Sequence, residues 1–203
     1  MLKFKTFTGG PFETNCILVE APGGNILFDA PEGADERFAG EKVDLLVLTH
    51  GHWDHTADAA AIKRRHGCPV VCHAETVPMV AEGDFFERHG FPLRVEPVTP
   101  DRLLAERAGQ ELLGLETDLL DVPGHCPGSL CFYFPQQAMV IGGDVLFKGG
   151  IGRWDLPGGN GPLLVRGIQE KIFVLPEETV VLPGHGPATT VGEEKASNPF
   201  LKA

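Results

Sequence analysis

The sequence predicts an α+β fold in which helices cover β-sheets. Predicted strands and helices alternate in both halves of the chain, which favours helix-covered sheets over an all-β sandwich. The length of 203 residues and the hydrophobic content of 42% suit one domain with a sizeable core. Because no composition shift marks a boundary, we expect a single domain over residues 1–203.

In the first half, turns rich in glycine and proline separate short apolar runs. Three runs predict antiparallel strands joined by tight connections: residues 3–7, 16–20 and 26–29. The continuous apolar run 43–48 predicts a central, buried strand. An alanine-rich segment then predicts a helix over 54–66, because it ends in basic residues followed by Gly67. A strand is expected at 69–73, and residues 76–90 are expected to be partly helical.

The second half repeats this pattern. Four further strands are predicted, at residues 112–122, 130–134, 138–141 and 180–182. A helix is predicted over 162–173. The stretch 149–161 holds six glycines and one proline, so we interpret it as a functional loop rather than a linker.

Charge and cysteine content limit the classes of function. The net charge of −11 argues against nucleic acid as the main partner, because phosphate binding needs a basic surface. No segment approaches the ~20 apolar residues that span a bilayer, and the start Met1-Leu2-Lys3-Phe4 does not resemble a signal sequence. The five cysteines form no C-x-x-C pair, which favours a reducing compartment. We therefore expect a cytoplasmic protein that acts on a small molecule.

The densest group of metal-binding side chains directly follows the predicted central strand. His50, His52, Asp54 and His55 stand within six positions. Alternation along extended backbone sends His50 and His52 to the same side, whereas Asp54 and His55 follow as the chain turns into the helix. The spacing offers two histidines for one metal and an Asp–His pair for another. A surface loop, or a single histidine-rich metal site, is the alternative interpretation.

Three later segments each place one metal-binding side chain at a strand end or in a turn. His125 lies in Pro-Gly-His, Asp144 follows a glycine pair, and His185 lies in Pro-Gly-His-Gly-Pro. Glycine allows close approach of the backbone, and proline stiffens the turn. Each segment alone is a weak signal, but their joint occurrence after H-x-H-x-D-H strengthens all three.

Together these motifs resemble those of the metallo-β-lactamase superfamily. The resemblance implies a four-layer αββα sandwich of two similar halves, with the site at one edge between the sheets. It also implies two divalent metal ions, for which zinc is the default while iron and manganese accept the same ligands. By this resemblance the first metal is bound by His50, His52 and His125, and the second by Asp54, His55 and His185, with Asp144 bridging both.

Within this superfamily, the chain most resembles the small, single-domain glyoxalase II-like hydrolases, also called hydroxyacylglutathione hydrolase-like proteins. Three segments carry this narrower resemblance: residues 143–147, 152–159 and 183–190. That family implies hydrolysis of thioesters such as S-lactoylglutathione by a metal-bridging hydroxide. Two cations can lower the pKa of a shared water toward ~7. Asp54 is then also expected to act in catalysis, by orienting the nucleophile. Neither the cysteines nor Ser129 are expected to be nucleophiles, because no base remains to activate them.

The sequence departs from this family at several positions. Longer glyoxalase II enzymes carry a C-terminal helical domain with basic residues for the glutathione carboxylates, whereas this sequence stops at Ala203. Arg153 is the candidate substrate-binding residue, and an ion pair with Asp155 is its alternative role. Cys126 and Trp154 replace the hydroxyl-bearing residues expected from the family. A glutathione thioester is therefore one candidate substrate among several.

Two other functions fit the same motifs. Persulfide dioxygenases of this fold bind one iron, which here would use His50, His125 and Asp144 if Asp54 and His185 were not ligands. A non-catalytic metal-sensing or scaffold domain is the third hypothesis, which the full set of ligands disfavours. The remaining histidines, His66, His73 and His89, are expected to be structural. Asp29 either ends a strand or fixes the tautomer of a ligand histidine.

Overall fold

The first sheet is built from the N-terminal half of the chain. The computed structural model describes residues 3–201, so the expectations for Met1 and Leu2 lie outside the described residues. The sheet contains six strands: β1 Phe4–Gly9, β2 Thr14–Ala21, β3 Gly24–Phe28, β4 Leu45–Val47, β5 Val70–His73 and β6 Arg102–Leu104. The first three strands pair antiparallel, as predicted, and the last four pair parallel. The predicted central strand is β4, which lies between β3 and β5.

The second sheet also has six strands within residues 3–201. They are β7 Arg107–Leu112, β8 Leu115–Asp121, β9 Leu130–Phe134, β10 Met139–Gly143, β13 Val180–Pro183 and β14 Thr189–Thr190. Strands β7 to β10 pair antiparallel in sequence order, and β13 then joins β10 in parallel. A separate hairpin of β11 Leu146–Phe147 and β12 Gly150–Ile151 lies within the predicted glycine-rich region.

Helices connect these strands. They are α1 Ala34–Arg37, α2 Trp53–Thr56, α3 Ala59–His66, α4 Val77–Ala81, α5 Phe85–Arg88, α6 Gly161–Gly167 and α7 Val191–Ser197. Helix α6 continues as a π-helical turn over Ile168–Ile172, so the helix predicted over 162–173 is confirmed. No helix of the described residues is both long enough and apolar enough to cross a membrane.

Three apolar clusters separate four layers. The central cluster lies between the sheets, where the Phe28 ring packs edge-on against Phe132 at 5.1 Å and Phe134 at 6.2 Å. A second cluster fills the space between the first sheet and helices α1 and α3 and includes Ile62. The third packs the second sheet against α6 and includes Leu164. The predicted αββα sandwich is therefore confirmed.

Two predicted elements differ from the structure. The helix predicted over 54–66 is split into α2 and α3, because the loop residue Ala30 replaces two helical hydrogen bonds. The Ala30 N–H donates to the carbonyl of His55 at 2.8 Å, and the Asp58 N–H donates to the Ala30 carbonyl at 2.9 Å. The strand predicted over 112–122 begins too early, because Leu113 and the following glycine form the turn of the β7–β8 hairpin.

Candidate metal centre and pocket

One edge of the sandwich gathers all seven predicted metal ligands. His50 and His52 lie in the loop that follows β4, and Asp54 and His55 lie on α2. The remaining three follow the ends of strands of the second sheet, with His125 after β8, Asp144 after β10 and His185 after β13. Potential ligand atoms come within 4.8 Å of one another in three groups: His50–His52–His125, His50–His55–Asp144 and Asp54–His55–His185.

The side chains of these residues face a common centre, because the distances between their polar atoms are short. The Nδ1 atom of His52 lies 2.8 Å from Nε2 of His125. On the other side, Nε2 of His185 lies 3.3 Å from a carboxylate oxygen of Asp54 and 3.3 Å from one of Asp144. Asp144 also lies 3.5 Å from His125, so its carboxylate stands between the two sets.

The donor set fits metal ions. Two buried polar atoms of the centre, Nε2 of His50 and Oδ1 of Asp144, have no hydrogen-bond partner among the described residues. An unsatisfied buried polar atom costs about 1–3 kcal/mol, so a structure rarely retains two in one place without a ligand to satisfy them. Imidazole and carboxylate together are ligands for zinc, iron or manganese. We expect His50, His52, Asp54, His55, His125, Asp144 and His185 to hold such ions.

Three of the five imidazoles are oriented by a hydrogen bond at the outer nitrogen Nδ1. Nδ1 of His55 lies 2.7 Å from Asp29, Nδ1 of His125 lies 2.8 Å from the Arg153 carbonyl, and Nδ1 of His185 lies 2.9 Å from the Phe12 carbonyl. Such bonds fix the tautomer and leave Nε2 for the metal.

Asp29 is the most heavily bonded of these outer groups. Its carboxylate also accepts from the Thr49 N–H and the Thr49 hydroxyl, both at 2.8 Å. It follows β3 with a φ of +59°, a conformation that aspartate and asparagine tolerate better than most residues. Both interpretations of Asp29 therefore hold, because it ends a strand and also orients His55.

Burial keeps three of the imidazoles neutral. Loss of solvent lowers the pKa of His50 and of His125 below the ordinary value, and lowers the pKa of His52 to about 3. The neutral imidazole is the form that binds a metal.

The other two imidazoles lie in a strongly negative environment. Burial acts to lower the pKa of His55, but the carboxylates of Asp144 and Asp29 outweigh it and raise the pKa well above the ordinary value. Burial likewise opposes the two carboxylates beside His185, Asp144 and Asp54, which raise its pKa to about 10. Divalent cations would compensate the same negative charge.

A pocket of about 430 Å³ opens over this centre. Its floor includes His52, Asp54, His125, Asp144 and His185, and its walls are mostly aromatic and aliphatic. These apolar walls are not among the features predicted from the sequence. The sequence feature that could have indicated the aromatic part of the lining is the cluster of phenylalanines in the weakly patterned segment 85–93. The same segment places His89 in the pocket lining.

The other candidate residues occupy distinct positions. Arg153 lines the pocket, and its guanidinium also forms two hydrogen bonds, at 2.8 and 2.9 Å, with Asp155. Cys126 is buried against Met79, and burial raises its thiol pKa to about 12, so it does not form a thiolate. The hydroxyl of Ser129 donates to the Cys126 carbonyl, and Trp154 is 42% exposed outside the pocket lining.

Sequence and structure comparisons agree with this geometry. The model of the metallo-beta-lactamase superfamily matches residues 9–185, and the chain belongs to this superfamily. Hydroxyacylglutathione hydrolase GloC from Haemophilus influenzae is 35% identical over 201 residues, which cover 95% of this chain and 94% of GloC. The resemblance inferred from the motifs is therefore confirmed.

Two solved structures are similar over nearly their full length. BLEG-1 B3 metallo-beta-lactamase superposes with a TM-score of 0.90 at 32% identity, covering 99% of this chain and 100% of BLEG-1. TTHA1623, solved in a di-iron-bound form, superposes with a TM-score of 0.87 at 37% identity, covering 97% and 100%. The family and the His/Asp groups together support a metal-dependent hydrolase.

Proposed function

We propose that this protein is a dinuclear metal-dependent hydrolase that cleaves thioesters, with S-lactoylglutathione as the first substrate to test. The observation that carries the proposal is the convergence of two three-residue ligand sets on the shared carboxylate of Asp144. The similarity to hydroxyacylglutathione hydrolase GloC supports a thioester as substrate. The di-iron form of TTHA1623 supports two ions, and leaves iron beside zinc as the metal.

When bound, a pair of cations would supply a water of lowered pKa and would polarise the substrate carbonyl. Asp54 faces the pocket from α2 and accepts a hydrogen bond from the Thr14 hydroxyl at 2.9 Å. That contact holds the carboxylate where it can orient the attacking water and accept a proton from it. Thiolate is a good leaving group, so the reaction does not require a strong general acid.

The geometry favours this function over the two alternatives. A mononuclear iron dioxygenase would require Asp54 and His185 to lie outside the ligand set, yet these side chains face each other at 3.3 Å and His185 also faces Asp144. A non-catalytic domain would not require an open pocket above a complete set of ligands.

Replacing Asp54 with alanine tests the proposal. The Asp54→Ala variant should lose thioester hydrolysis and bind about one metal ion per chain, because its second site lacks one ligand. Mass-spectrometric metal analysis and an assay of S-lactoylglutathione cleavage measure both effects. The matched control is Asp84→Ala, which removes an exposed carboxylate of the segment preceding α5. Full activity with two metals in Asp54→Ala would contradict the dinuclear assignment.

A further inference from the structure

Resting on the proposed function, we propose that the pocket binds an uncharged, apolar arm of the thioester and gains nothing from the charges of a glutathione arm. The apolar walls and the metal centre line one continuous pocket, so a group held by the walls lies beside the bond to be cleaved. The volume of about 430 Å³ falls within the range of small-molecule sites.

Aromatic rings form one wall of this pocket. Phe85, Phe86 and Phe91 come from α5 and the segment after it, and Phe12 and Trp53 stand beside them in edge-to-face contact at 5.1 Å. Phe12 is 58% exposed and Phe91 is 37% exposed, although large apolar side chains usually pack inside. A substrate that covers these rings would remove their apolar surface from water.

Aliphatic side chains extend the apolar lining, because Leu156 and Pro157 line the same pocket. Met79 also lines this pocket, and it contacts the buried thiol of Cys126. Apolar side chains therefore make up much of the lining beside the metal centre.

Charges in the lining do not match glutathione, which carries two carboxylates and one ammonium group. Among the described lining residues, Arg153 is the one side chain with a fixed positive charge. Its guanidinium is already paired with Asp155 through two hydrogen bonds. Nearby Arg88 and Arg94 are likewise paired, with Glu82 and Glu87 respectively. Apart from the metal centre, which would face the thioester carbonyl, the two carboxylates of glutathione would thus lack free cationic side chains among the described lining residues.

A series of thioesters tests the inference on the metal-loaded protein. The acyl group is varied from acetyl through butanoyl to hexanoyl on N-acetylcysteamine, an uncharged thiol, and each acyl group is also placed on glutathione. Hexanoyl has four more methylenes than acetyl and each buried methylene is worth about a fourfold gain, so kcat/KM should rise roughly 250-fold from acetyl to hexanoyl. The glutathione thioesters should be no better than their N-acetylcysteamine counterparts. A flat dependence on chain length, or a tenfold preference for glutathione, would overturn the inference.

Variants of the pocket lining test whether the pocket causes the dependence of kcat/KM on acyl chain length. In Phe91→Ser the ratio of kcat/KM for hexanoyl over acetyl should fall at least tenfold, and Leu156→Ser, at another lining residue, should act in the same direction. The control Phe4→Ser removes a ring that is 42% exposed and lies outside the lining, and it should keep the wild-type ratio. An unchanged ratio in both wall variants, each with a wild-type melting temperature, would contradict the assignment.

A binding experiment distinguishes failure of this inference from failure of the proposed function. If no thioester is cleaved, titration calorimetry with the carboxylates acetate and hexanoate still tests the pocket without turnover. Hexanoate should bind at least tenfold more tightly than acetate, and Phe91→Ser should abolish the difference. Equal binding of the two acids to the wild-type protein would reject the apolar pocket, whatever the outcome of the activity assay.

Discussion

Asp29 offers the sharpest test of how the centre is organised, because it contacts the predicted ligand His55 and does not itself line the pocket. The carboxylate is 2% exposed and accepts three hydrogen bonds, two from Thr49 and one from Nδ1 of His55. The Asp29→Asn variant would keep the size of the side chain and tolerate the positive φ. The substitution would replace one acceptor oxygen by an amide that donates toward His55.

The expected losses of stability and of metal affinity in Asp29→Asn follow from these contacts. The amide oxygen can keep the Thr49 N–H, and the Thr49 hydroxyl can rotate to accept. The charge-assisted bond from His55 is replaced by a weaker, reversed bond from the neutral amide to Nδ1, so the free energy of unfolding should fall by about 1–2 kcal/mol. The ring of His55 would then favour the proton on Nε2, the atom that faces Asp144 at 3.2 Å. We therefore expect the affinity for the second metal to fall by about 10- to 100-fold.

Urea unfolding of the metal-free protein measures the first effect, and metal titration with a competing chelator measures the second. The control is Asp58→Asn, whose carboxylate accepts from the Asp35 N–H and touches no predicted ligand. A variant that loses stability yet binds both ions with wild-type affinity would refute the role of Asp29 in setting the tautomer of His55.

Two further variants test the surroundings of the centre. A Cβ added in Gly184→Ala would collide with Asp144 and displace its carboxylate. Because a displacement of about 1 Å can cost about 100-fold in rate, activity should fall by about that factor. In the control Gly142→Ala the new Cβ meets its nearest neighbour at an ordinary 3.7 Å, and kcat should stay within a few-fold of the wild type. Glu194→Gln neutralises a buried carboxylate that accepts a hydrogen bond from the loop after β11. Urea unfolding should therefore show a free energy of unfolding lower by about 1–3 kcal/mol. The control Glu193→Gln, at an exposed position, should leave the free energy of unfolding nearly unchanged. An unaltered Gly184→Ala enzyme, or equal stabilities of the two glutamine variants, would contradict these contacts.

Much of the fold, and the meeting of seven side chains that could bind metal at one edge, could be predicted from the sequence. Buried strands carry a strong local signal, as residues 43–48 show, and side chains placed just after such strands reach the same edge of a sheet. Glycine and proline around His125 and His185 marked the later turns. The resemblance to a family added the pairing of these groups into two sets.

The remaining features depend on contacts between distant parts of the chain. The break between α2 and α3 arises from hydrogen bonds to Ala30, which lies over twenty positions earlier. Strand β7 is mostly exposed and polar, so Arg107 and its neighbours show little of the alternation that marks a strand. The pocket wall escaped prediction because Phe12 and Phe91 are brought together only by the folded chain.

Anomalous diffraction from crystals of the metal-loaded protein tests the central claim most directly. The proposal predicts two strong peaks about 3.5–4 Å apart, with Asp144 between them and His185 bound to the second. A single peak with Asp54 and His185 turned away, at full metal loading, would contradict the dinuclear centre.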